Sequence, residues 1–248
     1  EICTPVMRTS LAETMKLTNQ LYRAVAQKEF VLHYQPQVDI KTGKIVGFEA
    51  LIRWNHPEMG LIYPSKFIPI GEKTGLIIPI SEWVLETACR QNKILQEKYM
   101  IYVPIAVNIS AKQLVDYDIV NTISEVLDKT GLEPDFLELE ITENVLIEDF
   151  NQICDTLDRL RNMGVRISID DFGTKYSSLN YLKQLPVNKV KIDINFVHGI
   201  TISQKDEAII NAIITLAKTL GIDILAEGVE TFPQMEFLKK ANCNIIQG

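Results

Sequence analysis

An α/β fold of the modified TIM (β/α)8 barrel type, with one antiparallel strand in an initial hairpin, is predicted by three features of the chain. First, strand-like apolar runs alternate with helix-like segments, and strands separated by helices pair in parallel through crossover connections. Second, acids and amides recur at the ends of these runs. Glu49 closes IVGFE, Asn108 closes IAVN, Glu140 lies in FLELE, and Asp170 and Asp171 follow RISI. Lys191 and Asp193 lie in VKID, Glu227 follows DILA and Gln247 follows NII. Buried strands normally exclude charge unless it is paired or bound to a metal, so the repetition points to one site shared by most strands. Third, Gly131, Gly164 and Gly221 stand between a helix and the next strand, where a left-handed C-cap is expected.

The elements follow in order. Residues 11–27 carry apolar positions at helical spacing and predict an amphipathic helix. Runs 30–38 and 44–54 are strand-like, and the turn-rich loop Asp39-Ile-Lys-Thr-Gly43 joins them as an antiparallel hairpin. Ser81 is a good N-cap for a helix reaching residue 99. Then come strand 101–109, helix 118–129, strand 136–142, helix 150–162, strand 166–170 and helix 177–185. Strand 189–194, helix 204–220, strand 223–227, helix 231–241 and strand 244–247 complete the series. In such barrels the C-terminal strand ends form the active face.

Composition narrows the function. The 248 residues, 46% hydrophobic, suffice for one barrel domain at 29–248, preceded by a linker helix at 1–28 from an earlier domain. A start at Glu1 and an end at Gly248 just after a strand-like run suggest a fragment whose last strand is cut short and whose flanks hold sensory or signalling domains. No apolar run reaches the ~18 to 20 residues of a membrane span. The four cysteines and three histidines are scattered without zinc spacing, which fits reduced thiols and a cytoplasmic location. A net charge of −7 without a basic run argues against duplex nucleic acid as a partner. Binding a phosphate would require a local reversal of field, which divalent cations held by clustered carboxylates provide.

The motifs Tyr34-Gln-Pro, Phe48-Glu-Ala-Leu-Ile-Arg-Trp54, Val107-Asn-Ile-Ser110, Leu139-Glu-Ile-Thr-Glu143 and Asp170-Asp-Phe-Gly-Thr174 occur in that order. Lys191-Ile-Asp193, Ala226-Glu-Gly-Val-Glu230 and Gln247-Gly248 continue the series. From about Phe30 to the end, the chain resembles the EAL domain family of cyclic di-GMP phosphodiesterases. The resemblance implies hydrolysis of cyclic di-GMP to linear 5'-pGpG with two Mg²⁺ or Mn²⁺ ions, inhibition by Ca²⁺, and a homodimer. It implies that Glu49, Asn108, Glu140 and Asp170 hold one ion, while Asp170, Asp171 and Glu227 hold or orient the second. Hard oxygen ligands suit these metals.

Lys191 reads either as a salt bridge balancing the acids or, by the resemblance, as the group that holds the attacking water. A lysine among acids has its pKa raised, which favours positioning over proton abstraction. Asp193 is expected to orient Lys191, and Gln247 to join the same water network. Arg53 and Gln35 are the expected substrate contacts, Arg53 because its planar fork suits phosphate. Glu143 reads as a helix-dipole acid or, by the resemblance, as the anchor of the loop after Asp171. Glu138 reads as a paired barrel acid one layer deeper, Glu230 as structural, and Trp54 and Trp83 as packing. Crowded acids repel, so Glu49→Gln and Asp170→Asn are expected to leave stability unchanged or raised. Lys175 replaces a glycine usual in the family, which keeps a catalytically weak cyclic di-GMP receptor as an alternative, with a silent interaction module as a third.

Overall fold

The computed structural model describes residues 5–116, 118–143, 150–173 and 179–248. Lys175 lies outside these described residues. Helix α1 (Pro5–Gln27) leads into the hairpin of β1 (Phe30–Asp39) and β2 (Ile45–His56). The side chain of Asp39 closes that turn by accepting from the N–H and hydroxyl of Thr42 at 2.7 and 2.8 Å. A short β3 (Gly60–Ile62) then adds antiparallel to the end of β2.

Two helices, α2 (Pro64–Thr74) and α3 (Ile77–Tyr99), separate the hairpin from the repeating part. That part runs β4 (Ile105–Ile109), α4 (Ala111–Asp116), α5 (Ile119–Thr130), β5 (Leu137–Thr142) and α6 (Phe150–Asn162). It continues with β6 (Arg166–Phe172), α7 (Leu179–Gln184), β7 (Lys189–Ile192), α8 (Ile194–His198) and α9 (Gln204–Leu220). The last elements are β8 (Asp223–Glu227), α10 (Phe232–Ala241) and β9 (Ile245–Gln247).

The strands close in the order β1-β9-β8-β7-β6-β5-β4-β2, with β1 returning to β2. β1 is antiparallel to both neighbours, whereas β2, β4, β5, β6, β7, β8 and β9 run parallel. The eight-stranded barrel with one reversed strand is thus the predicted architecture. Side chains alternate along each strand. In β5 this sends Leu137, Leu139 and Ile141 into the apolar layer beneath the helices and Glu138 and Glu140 into the lumen. The expected C-caps form at Gly131 and Gly221, with φ of 67° and 71°.

Local differences from the sequence reading have physical causes. The period of α2 is obscured by Pro64 in its first turn and Pro69 inside it, while α4 and α8 are too short to display one. Strand 189–194 ends at Ile192 because Asp193 caps α8, its side chain accepting from the Asn195 N–H at 2.8 Å. Leu21 and Ala24 of α1 are fully buried in the same core as the barrel, so this helix packs on the domain that follows it. Trp54 is fully buried in an aromatic group with Phe30 and Phe67, and Trp83 packs against Phe30. No helix among the described residues is long and apolar enough to cross a membrane.

Candidate active site

Acids from four of the parallel strands converge on the ammonium of Lys191. From β7, this fully buried side chain reaches Glu49 of β2 at 3.3 Å, Glu140 of β5 at 2.8 Å, Asp170 of β6 at 3.2 Å and Glu227 of β8 at 2.7 Å. Four strands therefore contribute acids to one lysine. Asn108 of β4 donates from Nδ2 to Glu49 Oε1 at 2.8 Å and to Glu140 Oε2 at 3.4 Å. Gln247 of β9 donates to Glu49 Oε2 and, at 3.2 Å, to Gln35 Oε1 on β1. Gln35 stands directly across the hairpin from Glu49. One layer deeper, Lys189 pairs with Glu138 at 2.8 Å and donates to Gln37 at 3.1 Å, as expected for an acid paired inside the barrel.

Asp170 and Asp171 reach the centre together because β6 carries an irregularity there. Ile169 pairs with Val190 and Phe172 with Ile192, so both aspartates face the single residue Lys191 across the ladder. Asp171 accordingly has φ of 55°, a left-handed conformation in which Asp is enriched among non-glycine residues. The result is that Asp170, Asp171 and Glu227 each bring an oxygen within 4.8 Å of the others. Nothing in the sequence marks this bulge.

Asp193 lies beside the centre and caps the helix that follows it. Its carboxylate accepts from Asn195 and hydrogen-bonds with Asp171, whereas the carboxylates bonded to Lys191 are those of the four strand-end acids. Glu143, at the end of β5, accepts from the Gly173 N–H at 3.1 Å and so holds the chain just after Asp171. Arg53 lies further out on β2, with its guanidinium 5.0 Å from the Tyr63 ring centroid. Tyr63 escaped the sequence reading, because the contact depends on how β3 folds back on β2.

Burial and crowding set the charges. Burial pushes Glu140 well above the usual carboxylate range despite Lys191, and Glu49, Asp170 and Glu138 add to the rise. Burial also leads the rise of Glu227 to about 7, with Asp170 reinforcing it against Lys191. For Asp171, burial, Asp170 and the bond with Asp193 raise the value to about 6. Burial opposes charge on Glu49 too, but Lys191, Gln247 and Asn108 outweigh it and the pKa falls. Lys191 is lowered by burial and raised further by four acids, ending well above an ordinary lysine. It stays an ammonium.

Donor chemistry and burial fit hard divalent cations. The acids outnumber the one cation among them, and Glu140 Oε1 is buried with no hydrogen-bond partner among the described residues. Beside this centre opens a cavity of about 1060 Å³, whose lining includes Glu49, Asn108, Asp170 and Asp171 together with Pro64, Ser65 and Lys112. That space accommodates a dinucleotide-sized ligand.

A parallel-rich barrel with an acidic, metal-suited centre defines the class of fold whose sites are built at the C-terminal ends of the strands. The chain belongs to the EAL domain family, whose family model matches residues 18–248. It is 45% identical over 242 residues to the bifunctional diguanylate cyclase/cyclic di-GMP phosphodiesterase MucR of Pseudomonas aeruginosa, covering 98% of this chain and 35% of that protein. It is 40% identical over 236 residues to the cyclic di-GMP phosphodiesterase NbdA of the same species, covering 95% of this chain and 30% of that protein. The chain thus spans about a third of the length of these curated relatives. Among solved structures, the PaMucR phosphodiesterase in complex with c-di-GMP superposes with a TM-score of 0.90 at 46% identity, covering 94% of both chains.

Proposed function

We propose that this domain hydrolyses one phosphodiester bond of cyclic di-GMP, giving linear 5'-pGpG, with two Mg²⁺ or Mn²⁺ ions. The observation that carries this reading is the convergence of Glu49, Glu140, Asp170 and Glu227 on Lys191 beside a cavity large enough for the ligand. Likeness to relatives named as phosphodiesterases, and to one bound to c-di-GMP, supports it.

Glu49, Asn108, Glu140 and Asp170 are the residues suited to one ion, and Asp170, Asp171 and Glu227 to the other. When bound, such ions supply an activated water and charge stabilisation for the attacking and leaving oxygens. Asn108 turns its Nδ2 toward the acids here, and a half-turn of the amide offers Oδ1 instead. Lys191, held as an ammonium, donates hydrogen bonds and orients the water rather than deprotonating it. Gln247 fixes the Glu49 carboxylate and ties it to Gln35 across the hairpin. Arg53 offers its fork to a phosphate at the rim. Glu143, through Gly173, holds Asp171 in register.

The test is incubation of the purified chain with cyclic di-GMP in Mg²⁺, Mn²⁺, Ca²⁺ or excess chelator. Linear pGpG is expected in Mg²⁺ or Mn²⁺ only, since the longer and looser coordination of Ca²⁺ misplaces the water. Turnover in Ca²⁺ alone or in chelator contradicts the two-ion reading. Binding without product identifies a receptor, and neither binding nor product an interaction module.

A further inference from the structure

Resting on that reading, we propose that Tyr63 is a positioning residue, which holds the guanidinium of Arg53 beside the cavity for the phosphodiester of the ligand. Tyr63 is the residue between β3 and α2, and three constraints fix its place. The β2–β3 ladder pairs Trp54 with Ile62, which brings the residue just after β3 alongside Arg53. Pro64 follows, and a residue before proline is confined to extended backbone; Tyr63 has φ −83° and ψ 153°. The Tyr63 carbonyl accepts from the Lys66 N–H at 3.1 Å as α2 begins.

The aromatic face is thereby presented where a cation can cover it. Tyr63 is 57% exposed, an arrangement with no packing purpose of its own, yet its ring centroid lies 5.0 Å from the Arg53 guanidinium carbon. Arg53 donates from Nη1 to the carbonyl of Ile52 at 2.8 Å and has no carboxylate partner among the described residues. In a chain of net charge −7, an arginine without an acid beside an acidic centre is notable. Stacking on Tyr63 and the bond to Ile52 restrict the long side chain without consuming the fork's remaining donors. Ile52, the neighbour of Arg53, and Pro64 and Ser65, which follow Tyr63, line the cavity, so the pair borders it. An anion supplied by the ligand completes its coordination.

The experiment compares parent, Tyr63→Phe and Tyr63→Leu, alone and with Arg53→Ala. It measures cyclic di-GMP affinity under chelation, KM and kcat in Mg²⁺, and thermal melting. Tyr63→Phe is expected to match the parent, because the ring face is what acts. Tyr63→Leu is expected to weaken binding and raise KM about two- to fivefold with kcat unchanged. With Arg53→Ala in place, Tyr63→Leu is expected to have no further effect. Parental binding by Tyr63→Leu, equal loss in Tyr63→Phe, or the full leucine effect persisting without Arg53 overturns the proposal. A melting change in Tyr63→Leu with parental KM counts against it as well. A parent that neither binds nor cleaves overturns the functional reading itself, an outcome distinct from all of these.

Discussion

Lys191 Nζ lies 2.8 Å from Glu140 Oε2, and both side chains are fully buried. A buried charge pair is weak evidence for stability by itself, but removing one partner leaves an uncompensated charge in a low-dielectric interior. Here the loss is compounded, since Glu49, Asp170 and Glu227 share the same ammonium. Lys191→Met is therefore expected to abolish hydrolysis and to lower metal-free stability by about 3 to 5 kcal/mol. Added Mn²⁺ should restore part of the stability and none of the activity. Urea unfolding with and without metal checks the first half, and product formation the second.

Glu49 and Asp170 are expected to part company when each is changed to its amide. Asn108, Gln247 and Lys191 all donate to the Glu49 carboxylate, and an amide in its place has one acceptor oxygen instead of two. Glu49→Gln should cost about 1 to 3 kcal/mol through an unsatisfied buried donor. Asp170 accepts from Lys191 and the Asp171 N–H through Oδ1 alone, which Asn preserves, so Asp170→Asn should melt near the parent. Repulsion among acids, argued from sequence, forecasts no loss for either; the donors around Glu49 overturn that for one. Both variants should lose about a hundredfold or more in turnover. Melting curves and initial rates on the same preparations separate the two effects.

The charged residues of the strands were legible in the sequence for a simple physical reason. A buried strand has period two and tolerates charge badly, so Glu49, Glu140, Lys191 and Glu227 stand out against apolar neighbours. Less visible was whatever depends on local geometry. VKID reads as one strand, yet the N-cap preference of Asp193 ends it at Ile192 and engages the carboxylate with the first turn of α8. The bulge that brings Asp171 inward carries no glycine or proline to announce it. Tyr63 meets Arg53 through a three-residue strand too short to show a pattern.

Glu143 distinguishes a loop anchor from a helix-dipole acid. Its carboxylate accepts from the Gly173 N–H, two residues past Asp171, and is buried to 6% exposure. Glu143→Ala is expected to lower stability by about 1 to 3 kcal/mol and to raise the Mn²⁺ concentration needed for half-maximal activity severalfold. A dipole role alone predicts a loss of about 1 kcal/mol or less and an unchanged metal requirement. Metal titrations of the hydrolysis rate decide between them.

The pH dependence follows from Glu227 and Asp171, raised to about 7 and about 6. Both folded values exceed the ordinary carboxylate values, 4.5 for Glu and 3.8 for Asp, so the folded, metal-free chain binds more protons than the unfolded one between those limits. Stability from these groups is fully present below the unfolded values and is lost as pH rises through about 6 to about 7. Glu49, whose pKa is lowered, acts in the opposite sense and only at more acid pH, where its protonation removes stability. Divalent ions require the deprotonated carboxylates, so their affinity should climb across the same interval that weakens the metal-free protein. Glu227→Gln removes one of these titrations, leaving those of Asp171 and the raised Glu140. Metal-free melting should then fall less between about pH 5 and about pH 8, and Mn²⁺ binding should be weaker with a shallower pH dependence. Melting and calorimetric Mn²⁺ titrations across that range test the pair of slopes together; parallel curves for parent and variant would remove Glu227 from both.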